Sequence, residues 1–88
     1  MLFVMTYKML NASRNAAQDR FRKGGGLPPA GVKMLGRWHY ADGSGGMVLA
    51  ETDDPVALAQ WAQDWTDVIA LEARPVVNDE QIAKVLGA

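Results

Sequence analysis

The chain has 88 residues, of which 49% are hydrophobic and 22% charged, and its formal net charge is −1. These values are typical of one folded domain spanning residues 1–88 and exclude a disordered chain. Because there is no cysteine and only one histidine, His39, the sequence excludes a disulfide scaffold, a thiolate zinc site and an iron–sulfur cluster. We therefore expect neither a bound metal nor a cofactor.

The amino-terminal segment and the apolar runs predict a cytoplasmic location. The start, MLFVMTYKML, has no basic region or cleavage site and reaches Lys8 too early for a signal peptide. No apolar run approaches the roughly 20 residues that a membrane-spanning helix needs. We therefore expect no membrane among the partners of the protein.

The small net charge conceals two oppositely charged halves. Residues 1–44 contain seven basic and two acidic residues, which gives +5, whereas residues 45–88 contain two basic and eight acidic residues, which gives −6. Such a division can mark a nucleic-acid-binding arm with an acidic tail. It can also mark two halves that pack against each other, and the predicted fold favours this second interpretation.

The first half of the chain predicts a strand, a helix and a strand. Leu2–Met9 is a continuous β-prone run. A helix follows, capped by Asn11 or Ser13, and the glycines at 24–26 end it. We expect residues 32–40 to form the next strand.

A hairpin and a second helix follow. The segment 42–46, DGSGG, tolerates the positive φ angles of a tight turn and leads into a third strand over 47–52. Asp53 or Asp54 caps a helix with Pro55 just inside it.

The chain ends with a fourth strand over 68–77 and a short helix that Asn78 caps. The resulting order, βαββαβ plus a terminal helix, is that of an α+β, ferredoxin-like fold. We expect an antiparallel sheet of order 4-1-3-2 with both long helices on one face, which places the basic helix beside the acidic one. The inner faces of the helices carry Ala17, Phe21, Leu58, Trp61 and Trp65, and the covered sheet face carries Phe3, Met5, Tyr7, Ile69, Leu71 and Ala73.

The register of the hairpin decides which side chains reach the open face. If the turn is symmetric, Arg37 lies opposite Glu51 and His39 opposite Leu49, while Trp38 faces the helices. The open face then mixes aliphatic and charged groups, and so many exposed aliphatic side chains predict a homodimer whose sheets pack face to face. The predicted open face consists of Leu2, Val4, Leu35, Met47, Leu49, Val68, Ala70, Arg37, His39, Glu51, Glu72 and Arg74.

Three stretches carry a family resemblance: MLFVMTYK, GVKMLGRWHYADGSGGMVLAETDDPVALAQWAQDW and EARPVV. They resemble a family of short bacterial proteins known as a domain of unknown function, which is itself similar to the dimeric α/β-barrel superfamily that contains the antibiotic-biosynthesis monooxygenases. The resemblance implies a ferredoxin-like protomer, a two-fold dimer that closes a barrel, and a small cavity between sheet and helices. It implies no particular reaction.

His39 is the one side chain whose ordinary pKa lies near neutrality. It is a candidate catalytic base or ligand contact, and the alternative is a structural histidine hydrogen-bonded among Arg37, Glu51 and Glu72. The two glutamates are candidates for paired acid–base work. With Arg37 and Arg74 nearby, a cross-strand salt-bridge network is the simpler interpretation.

The aromatic residues allow two interpretations as well, because they can line a substrate cavity or form an ordinary core. Nucleic-acid binding is not expected, since the third strand, MVLAET, lacks the stacking aromatics of an RNA-recognition module and carries an acid. Neither glycine run leads from a strand into a helix, as a phosphate-binding loop does.

The sequence therefore predicts a homodimer that binds a small molecule, aromatic compounds included, between sheet and helices. One alternative is a cofactor-independent monooxygenase or isomerase that acts on a small aromatic compound, with His39 as base or orienting group. A second is a non-enzymatic structural or regulatory module without a pocket. The predicted ligand-binding residues are Tyr7, Arg37, Trp38, Glu51, Trp61 and Trp65.

Overall fold

The computed structural model describes residues 1–87 and contains one four-stranded antiparallel sheet and three α-helices. No helix within these residues is long and apolar enough to cross a membrane. A short 3-10 turn, Asn11–Ser13, precedes the first helix. The elements in chain order are β1 (Leu2–Met9), α1 (Arg14–Gly24), β2 (Lys33–His39), β3 (Gly45–Glu51), α2 (Pro55–Gln63), β4 (Ile69–Val76) and α3 (Asp79–Val85).

The sheet has the order β2-β3-β1-β4, which confirms the predicted order and the ferredoxin-like fold. β1 lies in the middle, where Tyr7 is paired with Gly46 of β3 and with Leu71 of β4. Both long helices cover the same face of the sheet, because Ala17 of α1 and Trp61 of α2 are each buried against it. The fold therefore leaves the opposite face of the sheet uncovered by either long helix.

Two apolar clusters lie between the sheet and the helices. The sequence predicts Val68 on the open face, but this side chain belongs to the smaller cluster, against Ala17. Val68 precedes β4 in a turn in which its backbone N–H donates to the Trp65 carbonyl at 3.0 Å, and this turn directs its side chain inward. The larger cluster, under α2, consists of Phe3, Met5, Val32, Val48, Ala50, Leu58 and Trp61.

Local side-chain caps determine where α2 and α3 begin. Asp54 caps α2, since its Oδ1 accepts hydrogen bonds from the backbone N–H groups of Val56 and Ala57 at 3.0 and 3.2 Å. Asn78 and Gln81 form a reciprocal capping box at the start of α3. Both helix starts were predicted from these residue types.

The oppositely charged halves meet between α1 and the segment after α2. Arg20 donates to both carboxylate oxygens of Asp67 at 2.8 Å and to the Asp64 carbonyl at 2.8 Å. The hydrogen bonds from Arg20 lower the pKa of Asp67, and those same bonds raise the pKa of Arg20. The charge division therefore matches two halves of one fold that pack together.

The β2–β3 turn is tighter than a turn centred on Ser44. The N–H of Tyr40 donates to the carbonyl of Gly45 at 2.8 Å and closes a four-residue loop. Within that loop Asp42 accepts from the backbone N–H and the hydroxyl of Ser44, at 2.9 and 2.7 Å. His39 consequently lies opposite Gly46, three positions from its predicted partner Leu49.

A β-bulge at Leu35 adds a second departure from the predicted register. Arg37 lies opposite Val48 and Met34 lies opposite Ala50, so β2 has one residue more than β3 between these two pairs. An extra residue reverses the alternation of sides along a strand. The bulge thus keeps Met34 and Arg37 on the same face although they are three residues apart.

Because the turn around Asp42 is tighter than predicted, the predicted sides of three β2 side chains are wrong. Arg37 and His39 face the helices instead of the open face of the sheet. Trp38 lies opposite Met47 on the open face, where it is 55% exposed. Its indole covers Gly36, and a Cβ atom at that glycine would stand 2.9 Å from Cζ3 of the ring.

Candidate functional site

A cavity of about 620 Å³ lies between the helices and the sheet. α1 contributes Ala17 and Phe21 to its wall, and Trp61 and Trp65 come from α2 and the turn that follows it. Phe21 is 37% exposed although it lies on the inner side of α1, because the space beneath it is open. The wall is predominantly apolar, as is usual for small-molecule sites.

A hydrogen bond between two strands contributes polar groups to the wall of this cavity. The hydroxyl of Tyr7 on β1 is bonded to Nδ1 of His39 on β2, and both side chains line the cavity. The imidazole also meets the ring of Phe21 edge to face, with 5.3 Å between ring centroids. Three elements therefore fix the orientation of the only histidine in the chain.

The environment of Tyr7 shifts the pKa of its hydroxyl. Burial raises this pKa, the positive charge of Arg37 acts in the opposite direction, and Tyr40 raises it further. Tyr7 is thus a neutral phenol near neutral pH, and its hydroxyl is hydrogen-bonded to Nδ1 of His39.

Arg37 connects β2 to the carboxyl end of α1. Its guanidinium donates to the carbonyls of Gly26 and Gly25 at 2.8 and 2.7 Å and lies 4.8 Å from the centroid of the Phe21 ring. Gly25 adopts the left-handed conformation that ends α1. Arg37 therefore closes one side of the cavity with a half-buried positive charge.

The charged groups of the cavity wall all have one sign. Arg22 and Arg37 line it, and no acidic residue within 1–87 does. The described part of the chain also contains no cluster of histidine and carboxylate side chains that could hold a metal ion. The site is thus an apolar space with a phenol–imidazole pair and excess positive charge.

The structure brings together five of the seven predicted site residues: Tyr7, Arg37, His39, Trp61 and Trp65 all line the cavity. Trp38 and Glu51 do not. Trp38 is on the open face because of the register described above. Glu51 lies opposite Leu2 and Lys33 and is exposed on that same open face.

A comparison with known proteins places the chain in a family. The model of DUF3303, a domain of unknown function, matches residues 1–88. The chain belongs to this family. No curated protein matches it. The structure of Rv0793 from Mycobacterium tuberculosis is similar over 89% of this chain and 96% of that chain, with a TM-score of 0.52 and 11% sequence identity; this likeness shows the fold alone.

These findings confirm the resemblance to a family of unknown function and the ferredoxin-like fold of this DUF3303 chain. Because one fold supports many functions, the fold does not identify a function, and the cavity is the feature that points to one.

Two predicted charge arrangements of this DUF3303 chain are wrong. Glu51 and Glu72 are not neighbours, because they pair with Leu2 and Thr6, at different levels of the intervening strand β1. The structural network predicted around His39 is also not formed. His39 is bonded to Tyr7 instead, and Glu72 pairs with Arg74 on its own strand at 3.0 Å.

Sequence reasoning did not assign the wall formed by α1 and its carboxyl end to the site. Phe21, Gln18, Arg22 and Gly26 all line the cavity. Their signal was the spacing of Ala17 and Phe21, which predicted the inner face of α1. That spacing is the same for a helix packed on a core and for a helix above a cavity.

Proposed function

We propose that this protein binds a small, largely apolar molecule, such as an aromatic compound, in the cavity between sheet and helices. The observation that carries this proposal is the 620 Å³ space with apolar walls and a few polar groups that converge on one side. An open space of this kind reduces packing and therefore stability. A binding function gives a reason for keeping it.

The pocketless interaction module, the second alternative, is disfavoured by the same observation. Such a module has no need of an open space against its largest side chains. In this chain Trp61, which is 5% exposed, and the half-buried Trp65 both border the cavity. These two indoles offer large flat surfaces to an aromatic ligand.

Two adjacent alanines of α1 provide a matched test. Ala17 is buried at the cavity, whereas Ala16 is exposed on the outer side of the same helix. We expect Ala17→Met to fill part of the space and weaken aromatic ligands about fivefold or more, equivalent to about 1 kcal/mol, with Ala16→Met unchanged. Titration calorimetry against a panel of one- and two-ring aromatic compounds measures this. Wild-type protein that binds no compound of the panel contradicts the proposal.

We also propose that the protein is a cytoplasmic homodimer whose sheets pack through their open faces. In one chain this face exposes Trp38, and the half-buried Leu2, Val4 and Leu49 lie beside it. Covering a standard area of about 800 Å² per partner with a second copy removes these groups from water.

Light scattering measures the mass of the protein in solution and tests the dimer with two substitutions that each introduce a lysine. Trp38→Lys is expected to reduce the mass from that of a dimer to that of the 9.6 kDa chain. Val56→Lys, at an exposed position of α2, is the control and is expected to leave a dimer. A wild-type monomer at micromolar concentration contradicts the dimer, and recovery of the protein outside the cytoplasmic fraction of its host contradicts the location.

The Tyr7–His39 bond favours a second candidate function, a cofactor-independent monooxygenase or isomerase with His39 as base or orienting group. The hydroxyl of Tyr7 holds the imidazole of His39 in one orientation through Nδ1, as the partner of a catalytic histidine does. His39→Ala distinguishes the two functions. Loss of turnover with retained binding supports the enzyme, whereas wild-type protein that binds but converts no compound of the panel supports the binding protein.

A further inference from the structure

We propose that the ligand of the cavity is an apolar molecule with one acidic oxygen group, such as a carboxylate, and that Arg37 binds this group. The proposal rests on the proposed binding function and narrows it to one chemical class. The charge of Arg37 has no ionic partner among residues 1–87.

Arg37 is half-buried, and no carboxylate within residues 1–87 forms an ion pair with it. Its contacts with protein oxygens are the two bonds to the carbonyls of Gly25 and Gly26. A guanidinium has five N–H donors, so most of them remain for a ligand. The two carbonyls belong to the carboxyl end of a helix, which provides only a partial negative charge.

Arg22, the other arginine of the cavity wall, differs from Arg37 in this respect. It lies 3.6 Å from Asp19 on the same helix, and its side chain is exposed. Water and a carboxylate therefore already compensate its charge. Arg37 remains the cation that a bound anion would neutralise.

The surroundings of Arg37 favour an anion over a neutral or cationic group. The ring of Phe21 covers the guanidinium and keeps water from one side of it. The nearby phenol of Tyr7 is neutral near neutral pH, because burial raises its pKa, and so it does not neutralise Arg37. Electrostatic attraction is stronger in such apolar surroundings than in water.

Three ligands that share one naphthalene ring system test the charge preference: the carboxylate, its primary amide and the aminomethyl cation. We expect titration calorimetry to give a Kd about tenfold lower for the carboxylate than for the amide, equivalent to about 1.4 kcal/mol, with the cation weakest. Added salt is expected to reduce the preference. Wild-type protein that binds carboxylate and amide equally overturns the proposal without the help of any variant.

Arg37→Gln tests whether this residue is the origin of the preference. We expect the variant to bind carboxylate and amide about equally, while Arg14→Gln, whose arginine is exposed at the first residue of α1 and does not line the cavity, keeps the preference. If Arg37→Gln weakens all three ligands by the same factor, Arg37 only shapes the cavity and the proposal is wrong. If the wild type binds none of the three, the proposed function itself fails.

Discussion

The ring of Tyr7 lies directly against the backbone of Gly46, its antiparallel partner on β3. A Cβ atom at Gly46 would clash with the backbone carbonyl oxygen of Trp38 on β2 and would stand 2.5 Å from Cε1 and 2.8 Å from Cζ of the Tyr7 ring. Any other residue at this position therefore displaces the backbone of β2, the phenol, or both. The glycine allows Tyr7 to lie flat on the sheet and to reach His39 on the next strand but one.

Gly46→Ala is therefore expected to destabilise the protein by about 1–3 kcal/mol, the range for overpacking a well-packed site. Urea unfolding followed by tryptophan fluorescence measures the change. Gly24→Ala is the matched control, because a Cβ atom there meets nothing within 4 Å. In a helix that exchange favours the folded state by up to about 1 kcal/mol. A Gly46→Ala variant as stable as the wild type contradicts the close packing of Tyr7 and of the β2 backbone against Gly46.

Ionisation of Tyr7 at alkaline pH is expected to lower the free energy of unfolding. Burial raises the pKa of its hydroxyl in the folded state, so the neutral phenol is favoured there. The associated stability is fully present below the unfolded-state pKa of about 10 and is lost as pH rises through the folded-state pKa. As pH rises from about 9 to about 11, the free energy of unfolding is expected to decrease less for Tyr7→Phe than for the wild type.

Ultraviolet absorbance of tyrosinate follows the same group directly. The titration step that disappears in Tyr7→Phe is expected to lie above the step of the protein unfolded in urea. Tyr40→Phe is the control, since it retains the Tyr7 step, at a somewhat lower pH because Tyr40 raises the pKa of Tyr7. A Tyr7 step at or below the unfolded value means that the hydroxyl is not buried as described.

The Arg20–Asp67 pair predicts a weaker dependence on acid pH. Arg20 lowers the pKa of Asp67, so this contribution to stability is present above the unfolded-state pKa of about 3.9. It is lost as pH falls through the folded-state pKa. We expect Asp67→Asn to be less stable than the wild type near neutral pH and to approach it in acid. Because the pair is exposed, the difference is small.

Equilibrium unfolding of Asp67→Asn at several pH values measures this convergence. Asp79→Asn, which removes an exposed carboxylate from the first turn of α3, controls for the change of net charge. A difference between Asp67→Asn and the wild type that is the same at neutral and acid pH is incompatible with the ion pair.

Two side chains of α2 test the position of the core. Leu58 belongs to the larger apolar cluster and is 6% exposed, whereas Val56 is 74% exposed on the same helix. Leu58→Ala is expected to cost about 2–5 kcal/mol of unfolding free energy. Val56→Ala is expected to change it by less than about 0.5 kcal/mol. Similar losses from the two variants mean that α2 packs on a different face.

The sequence was sufficient to predict the element order and the sheet order. Both depend on signals that are local, such as the caps at Asp54 and Asn78, and on the small number of ways in which a βαββαβ chain folds. The side chains of β2 were assigned to the wrong faces, because a strand reverses its faces with a shift of one residue. The turn around Asp42 determines that shift for Arg37, Trp38 and His39, and the bulge at Leu35 changes only the residues that precede it. Neither feature has an unambiguous sequence signature.

The cavity was predictable only in part. Tyr7, Trp61 and Trp65 were candidates because aromatic side chains on inner faces suit either a core or a pocket. The sequence does not distinguish a filled core from an open pocket, since that depends on the distance between α1 and the sheet. Arg37 and His39 line the cavity, and Trp38 does not, because the observed register of the hairpin differs from the symmetric one.

The three tryptophans allow one measurement to locate a bound ligand, because Trp61 and Trp65 line the cavity and Trp38 lies on the opposite face of the sheet. Each indole N–H gives its own resonance in a nitrogen–proton correlation spectrum, assigned with single Trp→Phe variants. Titration with naphthalene carboxylate is expected to shift the resonances of Trp61 and Trp65 and to leave that of Trp38 in place. A shift confined to Trp38, or no shift in any of the three, would contradict binding in the cavity.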